Sequence, residues 1–258
     1  LQKINERMSI GHSGILTAIS DQDLIELLND IIPVITQMEE TTYGPPTYYE
    51  ILMALTLLYF KKKKVDIAVI EVGLEGKFEA TNLLFPLIFV LTNISFDHVA
   101  ILGDTIEKIA DEATDRIKVL EPVNGTAPYV ITAASQDSVK TLVTSRVHTA
   151  NARMSMAFTD FSYSHVTEVE QGITFSYTSE MHSLNDVFVS LRGTYQAENC
   201  SLAIRTIELL SEFGFTVSNT SLYDGLSRAF FPGRFERQLV NYGEQAIELI
   251  LDGAHNEA

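Results

Sequence analysis

Glu71 and His98 are the two side chains of this sequence whose types and positions best suit a divalent cation. Glu71 lies near the close of one apolar run, 65–72, with Asn82 shortly after it. His98 follows a second run, 86–94, together with Asn93, Ser95 and Asp97. A carboxylate oxygen and an imidazole nitrogen are ordinary ligands of such an ion, directly or through water. Arg234 offers a different chemistry. The Pro232-Gly233 turn presents it rigidly, and a planar guanidinium matches a phosphate. Asp252, His255 and Asn256 close a further apolar run, 246–251, so polar groups again gather where a strand should end.

These residues need elements to carry them. The runs 65–72 and 86–94 are short, rich in β-branched residues, and bounded by Gly, Pro or Asn, which predicts strands buried on both faces of a parallel sheet. In such sheets ligands bind outside the carboxyl ends of the strands, so Glu71 and His98 are expected in one crevice. A helix is expected over 20–40, capped by Ser20, with Pro33 kinking or shortening it. A second, over 47–60, is apolar nearly all round and therefore expected to be buried. The lysines 61–64 form its solvated end. Glu50, within that helix, is either a capping or paired carboxylate or a group near the substrate. A helix starts after Gly103, capped by Asp104 or Thr105. The segment 121–125 is a turn, a further parallel strand covers 128–133, and a helix covers 135–147. From 156 to 191 the pattern alternates, which predicts antiparallel strands with turns at 171–172 and 183–186. His165 and His182 in this part read as surface residues. A helix opens at 193–196 with Cys200, Ala203, Ile204, Ile207 and Leu210 as its core face, and Cys200 as a small buried hydrophobe. Gly214 stops it, and a short helix over 221–229 follows. The fold class is α/β, a mostly parallel sheet flanked by helices, with a smaller antiparallel portion.

Five motifs in order carry a resemblance. NERMSI (5–10), EVGLEGKFEATN (71–82) with LTNISFDHVAILGDTIEKIA (91–110), LRGTYQAEN (191–199), FPGRFE (231–236) and ILDGAHN (250–256) are similar to the folylpolyglutamate synthase and dihydrofolate synthase family of Mur-type ligases. The resemblance implies the central ATP-binding domain of that family, a P-loop NTPase-like sheet, spanning 1–258. It implies a chain cut at both sides. The only Gly-Lys pair, Gly76-Lys77, precedes Phe78 and is no P-loop, and the glutamate-ligase domain would begin near 253. It implies magnesium on Glu71 and His98, and ATP as co-substrate. Arg234 falls at the ATP phosphates, Asn199 near adenine, and Asp252 and His255 beside the nucleotide. Arg7, Glu50, Lys77 and Asn82 fall on the acceptor. The implied partners are ATP, L-glutamate and either folate or dihydropteroate, with the enzyme acting as a monomer. Other readings are a different Mur-type amide ligase, or a non-catalytic remnant that binds nucleotide.

The match has departures. Glu75, Lys77 and Glu79 stand where the family has Gly, Arg and Asp, and Ala113 stands where the family carries a lysine that becomes carbamylated to help hold a second magnesium. Alanine cannot do this. Lys118 matches the last lysine of that pattern but lies on a different helix face.

Composition bounds the rest. A formal net charge of −16 disfavours a nucleic-acid partner and sets an anionic substrate in a repulsive field. One cysteine among 258 residues leaves no intrachain disulfide and points to the cytoplasm. No apolar run reaches the roughly 18–20 residues of a membrane span.

Overall fold

The computed structural model describes residues 3–12, 14–73, 79–117, 122, 125–243 and 245–254. The chain divides into two compact units, Leu1–Leu84 and Phe85–Ala258. Among the described residues no helix is long and apolar enough to cross a membrane.

Unit 1 opens with a 3-10 turn, Ile4–Arg7, and a hairpin of β1 (Ser9–His12) and β2 (Ile15–Ala18). Helix α1 (Asp21–Glu39) starts where expected: the Ser20 hydroxyl accepts the Asp23 N–H at 3.0 Å. Pro33, expected to kink or shorten α1, does not shorten it: the helix runs past it to Glu39. The carbonyl that Pro33 leaves without a helical donor belongs to Asn29, an exposed residue open to solvent. Helix α2 (Tyr48–Lys63) is capped reciprocally by Thr47 and Glu50 and ends in Lys61, Lys62 and Lys63. Lys62 and Lys63 reach Asp23 at 3.3 and 3.0 Å, which ties the end of α2 to the start of α1. Met8, Ile19, Leu27, Ile31, Leu52, Leu55 and Tyr59 form the core of the unit. Within it α2 buries one side only, so Tyr48 and Leu58 are exposed, where near-complete burial was expected.

A second expectation is corrected here. The run 65–72 is not a strand, and Val69 is 91% exposed. A parallel strand exists through ladder bonds on its edges, and an apolar run supplies none of these by itself.

Unit 2 carries the parallel sheet. Strands β3 (Ile88–Leu91), β4 (Tyr129–Thr132) and β5 (Arg153–Met156) lie in that order with β4 central and wholly buried. Each crossover is helical: α3 (Val99–Leu102) and α4 (Ile106–Thr114) join β3 to β4, and α5 (Asp137–Thr149) joins β4 to β5. Alternation along β4 divides the core. Val130 meets Ile109, Ala110, Val139 and Val143 from α4 and α5. Tyr129 and Ile131 point the other way, into a cluster with α6 (Gln196–Leu210) and the second sheet. The result is a three-layer arrangement, as expected for an α/β fold.

The second sheet is antiparallel: β6 (Phe161–Val169), β7 (Gly172–Ser179) and β8 (Ser183–Val189). The turn predicted at 171–172 lies one residue earlier, at 170–171, because Gly172 opens β7. The one predicted at 183–186 does not form, because those residues belong to β8. The reversal lies at 180–182, closed by the Ser179 hydroxyl accepting the N–H groups of Met181 and His182. Asn185 and Asp186 look like turn residues but form a bulge, with Asp186 at φ 51°. That extra residue lets Leu184 and Val187, which strict alternation would send to opposite faces, both enter the core. After α6, Gly214 ends the helix at φ 87°, and α7 (Asn219–Ser227) and the hairpin β9 (Glu236–Tyr242) and β10 (Gln245–Leu251) complete the chain. The strand expected at 246–251 is thus one arm of an exposed hairpin.

Candidate functional site

Polar groups gather beyond the carboxyl ends of the parallel strands. After β3 the chain runs through Asn93, Ser95 and Asp97 to His98, and Gln136, beyond β4, donates to the Ile94 carbonyl at 2.8 Å. Beyond β5, Asp160 accepts the Met156 N–H at 2.7 Å. His98 has φ 45°, a left-handed conformation uncommon for residues other than glycine, and it starts α3. Its backbone N–H is held by the Asp97 carboxylate at 2.7 Å, and Nε2 stands 3.8 Å from Asp97 Oδ1. The imidazole is half exposed, open to a ligand.

Glu71 is exposed in unit 1, in a segment without regular structure. Glu71 and His98 supply one oxygen and one nitrogen. Magnesium commonly takes one or two protein ligands and completes its shell with water and substrate phosphate, so each of these side chains is by its chemistry a suitable donor. Among the described residues no group of three His, Cys, Asp or Glu could hold a metal by itself. Ala113, on α4, is 2% exposed within the apolar cluster of Leu91, Ile109 and Val143.

The hairpin β9–β10 unites two motifs distant in sequence. Its open end sets Gly253 against Gly233, whose carbonyl accepts the Gly253 N–H at 2.8 Å. Glu236 holds the Gly233 N–H at 2.9 Å, and Asp252 caps the turn after β10 by accepting the Ala254 N–H at 2.9 Å. Arg234 and Asp252 are therefore displayed from adjoining backbones, both exposed. The Arg234 guanidinium lies 5.8 Å from the Phe231 ring centre. Ser190, just past β8, bonds the Leu226 and Ala229 carbonyls, which brings the end of α7 beside the chain that leads into α6. Asn199 lies in the first turn of α6, exposed, its amide donating to Gln196 Oε1 at 3.2 Å.

In unit 1, Arg7 is exposed at the end of the 3-10 turn. Glu50 accepts the Thr47 N–H at 2.7 Å while the Thr47 hydroxyl accepts the Glu50 N–H at 3.2 Å, so the capping role accounts for it. The Thr47 backbone and hydroxyl hold its carboxyl below the usual glutamate range. Asn82 is half buried in the 3-10 turn Ala80–Leu83. Lys77 and His255 lie outside the described residues, as do Lys118, Glu75 and most of the expected turn at 121–125.

Sequence reading missed a buried polar hub on α6. Glu208 accepts from the Tyr177 hydroxyl at 2.8 Å, the Ser179 hydroxyl at 2.7 Å and Arg205 at 2.9 Å, and His182 Nδ1 lies 2.9 Å away. Arg205 also reaches Ser155 at 2.8 Å and Glu180 at 2.7 Å. Burial, then the Glu208 charge, drives the Tyr177 hydroxyl far above the ordinary tyrosine range. This turns α6: Ala203, expected inside, is exposed, and Arg205 and Glu208 are inside instead. The Arg205–Glu208 spacing of three was the available signal. Cys200 is buried as expected, its thiol pushed up to about 12 by burial.

The model of the Mur ligase middle domain matches residues 24–207. Over 255 residues the chain is 35% identical to the dihydrofolate synthase/folylpolyglutamate synthase of Bacillus subtilis, which takes in 98% of this chain and 56% of that protein. The structure is similar to a folylpolyglutamate synthase from Thermotoga maritima, at TM-score 0.78 and 29% identity, over 93% of this chain and 52% of that one. It is also similar to an FPGS–AMPPCP–folate complex, at TM-score 0.82 and 27% identity, over 94% of this chain and 57% of that one. The chain spans about half the length of the curated relatives it matches.

Proposed function

The chain belongs to the Mur ligase middle domain family, and from that premise we propose that the full-length protein joins L-glutamate to dihydropteroate or to a folate at the expense of ATP. The single observation that carries this reading is the 35% identity to a protein of that double activity along 98% of the chain. His98, left-handed beyond the carboxyl end of β3, supports it, because ligands of open α/β sheets bind at such ends, and Arg234 and Asp252 add a cation and a carboxylate on adjoining backbones.

In the proposed reaction a carboxylate oxygen of the acceptor attacks the γ-phosphorus and ADP leaves. The glutamate amine then attacks the acyl carbon of the acyl phosphate, inorganic phosphate departs, and the amine loses a proton. Arg234 binds phosphate oxygens through its planar fork and offsets their charge. Asn199, Asp252 and His255 surround the nucleotide. Glu71 and His98 would supply a carboxylate and an imidazole to magnesium, which would offset the negative charge that gathers as the phosphoryl group moves. Arg7, Glu50, Lys77 and Asn82 face the acceptor, with Glu50 acting through the cap it makes for α2. Ala113, enclosed by apolar side chains, forms no lysine carbamate, so a second magnesium is held otherwise, turnover is reduced, or the subgroup dispenses with that ion. The 258 residues serve as one ATP-binding domain of a cytoplasmic monomer.

The test is phosphate release by the full-length protein with ATP, magnesium, glutamate and either dihydropteroate or a reduced folate. Release is expected to require glutamate and one acceptor. Replacing His98 by Ala should lower turnover by about 10²-fold and raise the magnesium needed. A folded, ATP-binding protein that releases no phosphate with either acceptor would leave the non-catalytic reading, and unchanged turnover of His98→Ala would remove that residue from the site.

A further inference from the structure

Gln136 stands at the head of α5, yet its side chain does nothing for that helix. A side chain in this place ordinarily accepts an N–H of the first turn, and Gln136 makes no such bond. Its amide turns instead to the loop after β3, where Nε2 donates to the Ile94 carbonyl at 2.8 Å. Oε1 is buried and finds no donor among the described residues. Reversing the amide would set its oxygen against the Ile94 carbonyl oxygen, so the orientation is fixed by this one bond. A buried acceptor is left unpaired in order to place a donor on Ile94, a cost that α5 itself does not require.

The segment held in this way carries His98. Ile94 has no regular secondary structure to partner its carbonyl. Ile94 and Leu102 are 4% and 6% exposed, and both enter the apolar cluster that holds Val139 and Val143 of α5. The His98 carbonyl accepts the Ile101 and Leu102 N–H groups at 2.8 and 3.0 Å, which sets its backbone from the Leu102 side. Ile94, tied to Gln136, sets it from the other. His98 stands between these two anchors at φ 45°. A residue keeps so sparsely populated a conformation only where its surroundings over-determine it.

We propose that Gln136 is a positioning residue for His98: through the Ile94 carbonyl it fixes the turn that presents the imidazole to a divalent cation, without touching the cation. This rests on the ligase reading, in which His98 is a donor to magnesium.

The experiment uses Gln136→Ser, His98→Ala and the double variant in the full-length protein, with manganese(II) as the probe ion. Serine removes the donor from Ile94 but is a favoured cap for α5, so the melting temperature should hold. The manganese dissociation constant, read from the paramagnetic resonance of the free ion, should rise about 10-fold in Gln136→Ser. Amide exchange at 95–98 should accelerate, while exchange at 139–147 stays as it was. With His98 already replaced by Ala, the same serine should change the constant by less than about twofold, because a residue that acts through another loses its effect when the other is gone. Gln136→Glu, equal in size but with an oxygen toward the Ile94 carbonyl, should weaken manganese binding as serine does. An unchanged constant in Gln136→Ser overturns the proposal. So does an equal loss in both backgrounds, which would mean that Gln136 does not act through His98. A constant that His98→Ala leaves unchanged removes the ring from the ion, and the proposal with it. A fall in melting temperature with faster exchange throughout α5 reduces Gln136 to a structural role and also overturns it. None of these readings needs turnover. Failure of the ligase reading is therefore seen separately, as wild-type protein that releases no phosphate with either acceptor while its manganese binding still depends on His98.

Discussion

Arg234 shows how far one residue's chemistry reaches. A lysine there would keep the charge but not the two parallel N–H donors, so Arg234→Lys should lower kcat/KM for ATP by about 10-fold or more and leave the KM for glutamate unchanged. Equal activity would mean that the guanidinium does not grip phosphate. Glu79 brings a pH dependence with a definite sign. Its folded value is held below the ordinary 4.5, so the stabilisation is fully present above that value and is lost as pH falls through the lowered one. Glu79 accepts the Gly73 and Thr81 N–H groups at 3.2 and 2.7 Å, so their exchange protection should persist at pH 5 and vanish only in stronger acid; protection lost already near neutrality would contradict these bonds. Glu50 marks the limit of single-residue reading. A carboxylate in an apolar helix is equally suited to a cap or a substrate, and only the reciprocal bonds with Thr47 identify the cap.

At the scale of elements, α6 is the instructive helix. Its apolar spacing predicts the helix and its start, but the side that faces the sheet includes Arg205 and Glu208, with side chains 5% and 2% exposed. Truncating Glu208 to Ala would leave Arg205 buried without its inner partner and strip acceptors from Tyr177 and Ser179. A loss of about 3–5 kcal/mol in unfolding free energy is expected, read from denaturant midpoints. A loss under about 1 kcal/mol would class the hub with surface ion pairs. Polar residues were read as outward-facing, the usual case, because burial of a charge is tolerated only when partners from other elements complete it. Those partners lie on β5, β7 and the 180–182 turn, far away in sequence. The 183–186 error has the same origin: a bulge and a turn favour the same residues, and the core contacts of Leu184 and Val187 decide between them.

For the whole molecule, the net charge of −16 opposes an anionic ligand at long range, while Arg234 acts only at contact. The association rate of a fluorescent ATP analogue should therefore rise with salt, as the screening length falls from about 30 Å at 0.01 M to about 8 Å at 0.15 M. A rate that falls with salt would show that a local positive field governs the approach. By itself the sequence determined the α/β class, the cap at Ser20, the parallel strands β3 and β4, and the five ordered motifs, because these depend on local periodicity, short-range hydrogen bonds and residue type. Tertiary structure alone decided that 65–72 lacks a ladder, that Gly253 meets Gly233, that Glu208 is a hub, and that the Glu79 carboxylate accepts the Gly73 N–H. Each of these depends on atoms that neighbour one another only after the chain has folded, and no local pattern encodes which distant donor will meet a given acceptor.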